Sequence, residues 1–518
     1  MSQSLGGYIS DVAYVRHFID ELIPSRLRLA AATGGVTPPH ADDFDYCEIG
    51  CAHGDTTAAL AAAHPGARFL GVDIVGEHVA SAKKLARDGA LENVGFLEND
   101  FEALIDEDIG EFDFIAAHGV LSWISPEKRS ALGRFVSAKL KPGGLLYVSY
   151  NAMPGWSGVE PLRQLLLSPL GLAPGASTMD RARLGLHFAQ TMSNAGAEYF
   201  ARNPSANDML ATMTKVGLPY VVHEYLHDHW SPMYFARVAW ELAERDLHFA
   251  GVVPLHQNFR DTAVPEALEK VFADATDRLT FESLKDFAIN EFFRRDVYVK
   301  GRTSRHAAAL DELLERTPFA AVAERFPESR TMKLPHRLLR LEAPIFEPLF
   351  QALREGAATI EELRASRPEL AGWPPDQVRA ATLRLLLAEL VAPMQRATRA
   401  AAVDASARFV VPLPYNQMML RRLSSDTPLV LVSEAAGTAY RSSALEVLAM
   451  RVLTECRAPE RDAWVESFVE KHELRLAIDG KLVAERADQK RHVRAAIEAL
   501  VSDRLARLVE LGIMAPAP

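Results

Sequence analysis

The chain has 518 residues, 48% of them apolar and 24% charged, so it is too long for one hydrophobic core, and two to four ordinary globular domains are expected. A net charge of −11 with a pI near 5.9 argues against general affinity for nucleic acid or anionic membrane, and residues 1–20 hold no apolar stretch that suits a secretory signal or a span. Three cysteines, Cys47, Cys51 and Cys456, give no even disulfide framework and fit a reducing cytoplasm, the expected location.

From residue 45 to 151, short apolar runs alternate with helical stretches, as a parallel sheet with crossover helices requires. Strands are predicted at 46–49, 69–72, 94–97, 112–116 and 145–149, with a helix over 126–140 stopped at Lys141-Pro142-Gly143-Gly144. The fold class is therefore α/β, a Rossmann-like doubly wound sheet. Its first strand breaks into the turn Gly50-Cys51-Ala52-His53-Gly54 before an alanine-rich helix, and such a turn lets the backbone approach a nucleotide-like ligand. The second strand closes on Asp73, roughly 20 residues beyond the turn, where a ribose-binding carboxylate is expected. This pairing predicts an adenosyl cofactor.

Beyond Pro154 a helical insert is expected over about 157–216. Residues 220–226 then read as a strand, Ser231-Pro232 as a helix start, 233–244 as a helix and 247–253 as a strand, so the sheet and the first domain (1–255) are expected to finish near 255. Residues 256–330 read as a helical middle region. From 331 to 518 a separate, mostly α unit begins, with helices at 346–354, after Thr359, and from Pro375 to Leu390, followed by strand-like 409–411 and 429–432. That order resembles a winged helix, but the third helix offers only Arg379 and Arg384 beside Asp376 and Glu389, so docking of protein or substrate is favoured over reading DNA.

Glu48-Ile-Gly50-Cys-Ala52-His-Gly54, Gly71-Val-Asp73, Asn99-Asp100-Phe101, Phe112-Asp113-Phe114 and Lys141-Pro-Gly-Gly144 together resemble the class I S-adenosylmethionine-dependent methyltransferases, over about residues 40–155. Ala52 stands where the common pattern has a second glycine. A narrower resemblance rests on His118-Gly-Val-Leu-Ser-Trp-Ile124, Tyr150-Asn-Ala-Met-Pro-Gly-Trp156, His223-Glu-Tyr-Leu226 and the stretch from Asp286-Phe287 to Phe293-Arg294. These are similar to bacterial methyltransferases carrying a methyltransferase regulatory domain, matched here by 217–300, whose characterised members include lysine methyltransferases acting on outer-membrane proteins. The resemblance implies S-adenosyl-L-methionine as cofactor and a lysine-bearing protein as acceptor. A small-molecule acceptor is the alternative, and a non-catalytic cofactor-sensing regulator a third reading.

The order of elements assigns roles. Glu48 would support the turn or the cofactor's amino group, Asp73 the ribose hydroxyls and Asp100 the adenine edge, with Gly50, Cys51, Gly54, Ile74, Asn99, Phe101 and His118 completing the cofactor set. Capped helices and solvated loop ends are the alternative fate of such acids. Asp113 starts its strand and is expected to be structural. Transfer to lysine needs an in-line acceptor that has lost its proton, which a narrow aromatic channel favours. The catalytic candidates are His118, Tyr150 and Asn151, and the channel candidates Trp123 and Trp156, which could instead simply pack beneath the insert. His223-Glu224-Tyr225-Leu226-His227 spells the His-Glu-x-x-His zinc signature, but Pro219, Pro232 and the predicted strand deny it a sustained helix, so no metal is expected.

Overall fold

Seven strands make one central sheet in the computed structural model, which describes residues 16–169, 175–301, 305–400, 402–422, 429–472 and 483–518, with isolated backbone strands at 4–5, 8–9, 477–478 and 481–482. The expectation drawn from residues 1–20 falls mostly outside the described residues. The strands are β1 Asp45–Ile49, β2 Arg68–Asp73, β3 Val94–Glu98, β4 Phe112–Ala117, β5 Leu140–Asn151, β6 Leu247–Val252 and β7 Phe293–Lys300. Their order is β3-β2-β1-β4-β5-β7-β6. β1 to β5 run parallel, while β7 lies antiparallel to both β5 and β6.

Helices α1 Pro24–Thr33, α2 Asp55–Ala63, α3 Gly76–Asp88 and α4 Pro126–Lys139 flank the sheet. Every residue of α2 is buried. Its alanines and threonines are small enough to be covered on all sides, by the sheet on one face and by Val430, Val432 and neighbouring C-terminal residues in the same core. At the far ends of the strands Lys141 bridges Asp45 and Asp113 at 2.8 and 2.7 Å, so Asp113 is structural, as its position implies.

The insert is helical: α5 Glu160–Leu167, α6 Thr178–Asn194, α7 Glu198–Arg202, α8 Pro204–Val216 and α9 Leu218–Tyr225. Thus the segment 220–226 is helix, not strand. Pro219 sits in the first turn, where its missing N–H costs nothing, and packing of Val221, Val222 and Tyr225 into the insert's core overrides the β preference of the valines. α10 Phe235–Ala243 follows, near its predicted place.

Nor does the sheet finish near 255. β7 comes from the region read as helical, and it was hidden by Arg294, Arg295 and Asp296, charges that a buried strand rarely carries. The charges are paired: Arg294 meets Glu282, Asp286 and Asp296 at 2.8, 2.6 and 2.9 Å, with Glu282 and Asp286 supplied by α11 Arg278–Ile289. Lys285 adds a second cation at 2.7 Å from Glu282. Arg278 adds a third at 3.0 Å from the same carboxylate, so three acids face three bases, and burial raises the Asp286 carboxyl to about 7.

In the C-terminal third, helices Phe346–Arg354, Ile360–Ser366 and Pro375–Leu387 share a core with the paired strands Phe319–Ala321 and Val391–Pro393. The segments expected as wings lie elsewhere. Phe409–Val410 pairs with Ala515–Pro516 and Val430–Ser433 with Thr438–Arg441, in the core that covers α2.

Candidate active site

Helices leave β1 and β4 toward opposite faces, so a crevice opens at the carboxyl ends of these neighbouring strands. A cavity of about 260 Å³ occupies it. The turn after β1 holds Gly50, Ala52 and Gly54 at φ of +74°, +46° and +73°. A Cβ on Gly54 would stand 2.7 Å from both Ala82 Cβ and Phe96 Cε1, so only glycine lets the turn lie this close to α3 and β3. Ala52 tolerates the left-handed region because its N–H donates to Asp73 Oδ2 at 2.8 Å. Asp73 Oδ1 accepts from Val75 N at 2.9 Å, and His78 Nδ1 lies 3.3 Å away. Beneath the turn, the Thr57 hydroxyl donates to the buried Glu48. Burial, then repulsion from Asp73 and Asp55, raises that carboxyl to about 7.

A second wall comes from residues far upstream. Arg16 grips Asp55 through two bonds of 2.9 and 2.7 Å, Ile19 N donates to Thr56 Oγ1 at 3.0 Å, and Arg16, His17 and Ile19 face the cavity. The C-terminal region braces this segment. Arg441 donates to Phe18 O at 2.7 Å and to Asp20 Oδ2 at 3.0 Å. Sequence reasoning missed this wall, because nothing local in residues 16–20 announces a contact made with residues 55 and 441.

Asn99, Asp100 and Phe101 close the side beyond β3, where Lys128 from α4 binds Asp100 and Glu102, both at 2.6 Å. After β4, His118 Nδ1 pairs with Tyr147 OH at 2.9 Å, and burial lowers the imidazole to about 4, so it is neutral near pH 7. Trp123, Phe293 and, from the insert, His223, Glu224 and His227 complete the wall.

Ten of the predicted site residues therefore meet around one cavity: Glu48, Gly50, Cys51, Asp73, Ile74, Asn99, Asp100, Phe101, His118 and Trp123. Gly54 lies just behind it. Tyr150, Asn151 and Trp156 do not reach it. The Tyr150 hydroxyl donates to Asp296 at 2.8 Å inside the ion cluster, which explains its expected but misassigned polar role. Asn151 ends β5, its N–H donating to Ser122 Oγ at 2.8 Å. Trp156 packs against Tyr225, Trp230 and Phe292, its indole N–H donating to Phe292 O at 2.9 Å.

The zinc signature His223-Glu224-Tyr225-Leu226-His227 does not lie on the predicted strand. Its first residues are on a helix, but α9 ends at Tyr225 and His227 lies past the end, so the two imidazoles do not occupy successive turns of one helix. Among the described residues, no three His, Cys, Asp or Glu groups are arranged to hold a metal ion.

Comparison with known proteins agrees with this geometry. Residues 47–146 match a family model described as a methyltransferase domain, and residues 218–300 one described as a "Predicted methyltransferase regulatory domain". The whole fold is similar to PKMT2 from Rickettsia typhi, solved in complex with AdoHcy, with a TM-score of 0.72 at 18% identity over 97% of this chain and 99% of that one. The chain is a class I S-adenosylmethionine-dependent methyltransferase. An uncharacterised protein of Synechocystis is 29% identical over 98% of this methyltransferase and 99% of its own length, and one of Rickettsia prowazekii is 26% identical over 52% and 48%. The cofactor, S-adenosylmethionine, suits the donor set: a turn of small residues with glycine at 50 and 54, two acids at adjacent strand ends and the apolar flanks of Ile74, Phe101 and Val120. Among the described residues no helix is long and apolar enough to cross a membrane.

Proposed function

We propose that this enzyme N-methylates lysine side chains of a protein substrate by direct in-line transfer. The cavity wall carries the reading: beyond the donor residues it continues past His118 to the aromatic faces of Trp123 and Phe293, a lining suited to the apolar stem and cationic head of lysine. The resemblance of His118–Ile124 and Tyr150–Trp156 to bacterial lysine methyltransferases of proteins supports the same acceptor.

S-adenosylmethionine, when bound, supplies a methyl group already activated on a sulfonium centre. The protein's part is placement. Asp73 takes the ribose hydroxyls, Asn99, Asp100 and Phe101 frame the adenine, and Glu48 holds the glycine turn and the amino-acid end with Gly50, Cys51 and Gly54. Arg16 and Ile19 shut out water from above, which matters because holding the nucleophile in line at contact distance supplies most of the acceleration. Neutral His118, fixed by Tyr147, borders the path of the incoming nitrogen without adding a positive charge that would repel it.

Incubation with radiolabelled methyl donor and either cell-envelope protein or a metabolite extract tests the reading. Label recovered as methyl-lysine in protein hydrolysates is expected. Label confined to small molecules would replace the protein acceptor with a metabolite, and no label in either would leave only a cofactor-sensing role.

A further inference from the structure

We propose that Glu224 is the acceptor-binding carboxylate of the methyl transfer, gripping the substrate's ammonium group and taking the proton its nitrogen must lose. The inference rests on the amine-methylating reading above and adds the residue that makes the acceptor reactive.

Three observations converge on it. First, α9 divides its faces: Val221, Val222 and Tyr225 are fully buried in the insert's core, while His223 and Glu224, joined by His227 just past the helix end, turn to the cavity shared with Asp73, His118 and Trp123. The His-Glu-x-x-His segment is thus organised around an organic-ligand cavity. Second, the cavity's two cations are already engaged, Arg16 by Asp55 at 2.7 Å and Lys128 by Asp100 at 2.6 Å, so neither offsets Glu224. Five acids line the space, Glu48, Asp55, Asp73, Asp100 and Glu224, against those two bases, and the excess favours cationic ligands. Third, burial alone lifts the Glu224 carboxyl to about 7, the range in which a group can both pair with an ammonium and accept its proton.

The step balances. The Glu224 carboxylate takes one proton from the substrate's R–NH3+, giving R–NH2 and a carboxylic acid. The nitrogen lone pair then forms the N–C bond while the methyl group's former bond breaks with its electron pair left on sulfur. Glu224 returns its proton to water, so each transfer to an ammonium substrate releases one proton.

The test uses the full chain, Glu224→Gln and Glu224→Asp. Calorimetry first measures S-adenosylhomocysteine uptake, expected to agree within about twofold in all three, since the donor residues lie on other elements. n-Butylamine, a mimic of the lysine side chain, is then titrated into each saturated protein at pH 8. Binding is expected to weaken about tenfold or more in Glu224→Gln, with Glu224→Asp between the two, and methylation of poly-L-lysine to fall about a hundredfold in Glu224→Gln. Equal butylamine affinity in wild type and Glu224→Gln, or none in wild type, would overturn the assignment while intact S-adenosylhomocysteine uptake leaves the methyltransferase standing. Butylamine binding that depends on Glu224, without methyl-lysine in any protein fraction, would sink the protein-lysine reading alone.

Discussion

Glu48→Gln isolates the energetic cost of the acid beneath the glycine turn. The side chain is only 2% exposed and accepts from the Thr57 hydroxyl, and its carboxyl is raised from 4.5 to about 7 by burial first and then by Asp73 and Asp55. Glutamine preserves the shape and leaves an oxygen for the Thr57 hydroxyl, but it cannot ionise. A tenfold change in proton affinity is worth about 1.4 kcal/mol, so the raised value corresponds to about 3 kcal/mol. Because the folded chain holds this proton more tightly than the unfolded chain, the stability it contributes is complete below pH 4.5 and is lost as pH rises through 7. Urea denaturation between pH 4.5 and 8.5, without ligand, is the assay. The variant should gain steadily on the wild type across that window, reaching about 3 kcal/mol above pH 8. Two curves that stay parallel from pH 5 to 8 would show that Glu48 titrates as an ordinary carboxyl and would refute the reasoning.

Gly54→Ala combines a left-handed backbone with a Cβ 2.7 Å from two side chains and should cost about 3 kcal/mol and weaken S-adenosylhomocysteine binding, whereas Gly143→Ala, also at positive φ but with nothing within 4 Å, should cost about 1 kcal/mol; denaturation of both variants compares them. Arg294→Met leaves three buried carboxylates without their main cation and should lose about 3–5 kcal/mol in the same assay. Arg441→Ala should weaken S-adenosylhomocysteine binding about fivefold, the equivalent of ~1 kcal/mol, by freeing the Phe18 to Asp20 segment, and calorimetry that finds no change would detach the C-terminal region from the donor site. Trp156→Ala should cost about 3–5 kcal/mol of stability, while Trp123→Ala should slow methyl-lysine formation and spare donor affinity, which separates packing from the acceptor path.

The parallel half of the sheet and the donor side of the cavity were legible because they obey local rules. Short β-rich runs ending in Gly50, Asp73 and Asp100 announce both the strands and the crevice at their carboxyl ends. The antiparallel edge was not. β7 carries Arg294 and Asp296, and only their pairing with Glu282 and Asp286 makes those charges compatible with a strand interior. Glu224 shows the same limit from the other side: its motif was visible, but two valines pointed to a strand, and the helix that aims it at the cavity is stabilised by the insert's own core.

What the sequence determined by itself is the chemistry of the donor crevice, since turn glycines and strand-end acids act through their immediate neighbours along the chain. What only the tertiary structure decided is the remaining wall of the cavity and its covering, where Arg16, Phe293, Glu224 and the bracing Arg441 come from segments hundreds of residues apart. Their meeting depends on long-range packing and ion pairing, and those energies belong to pairs of distant residues and leave no periodic trace in either segment alone.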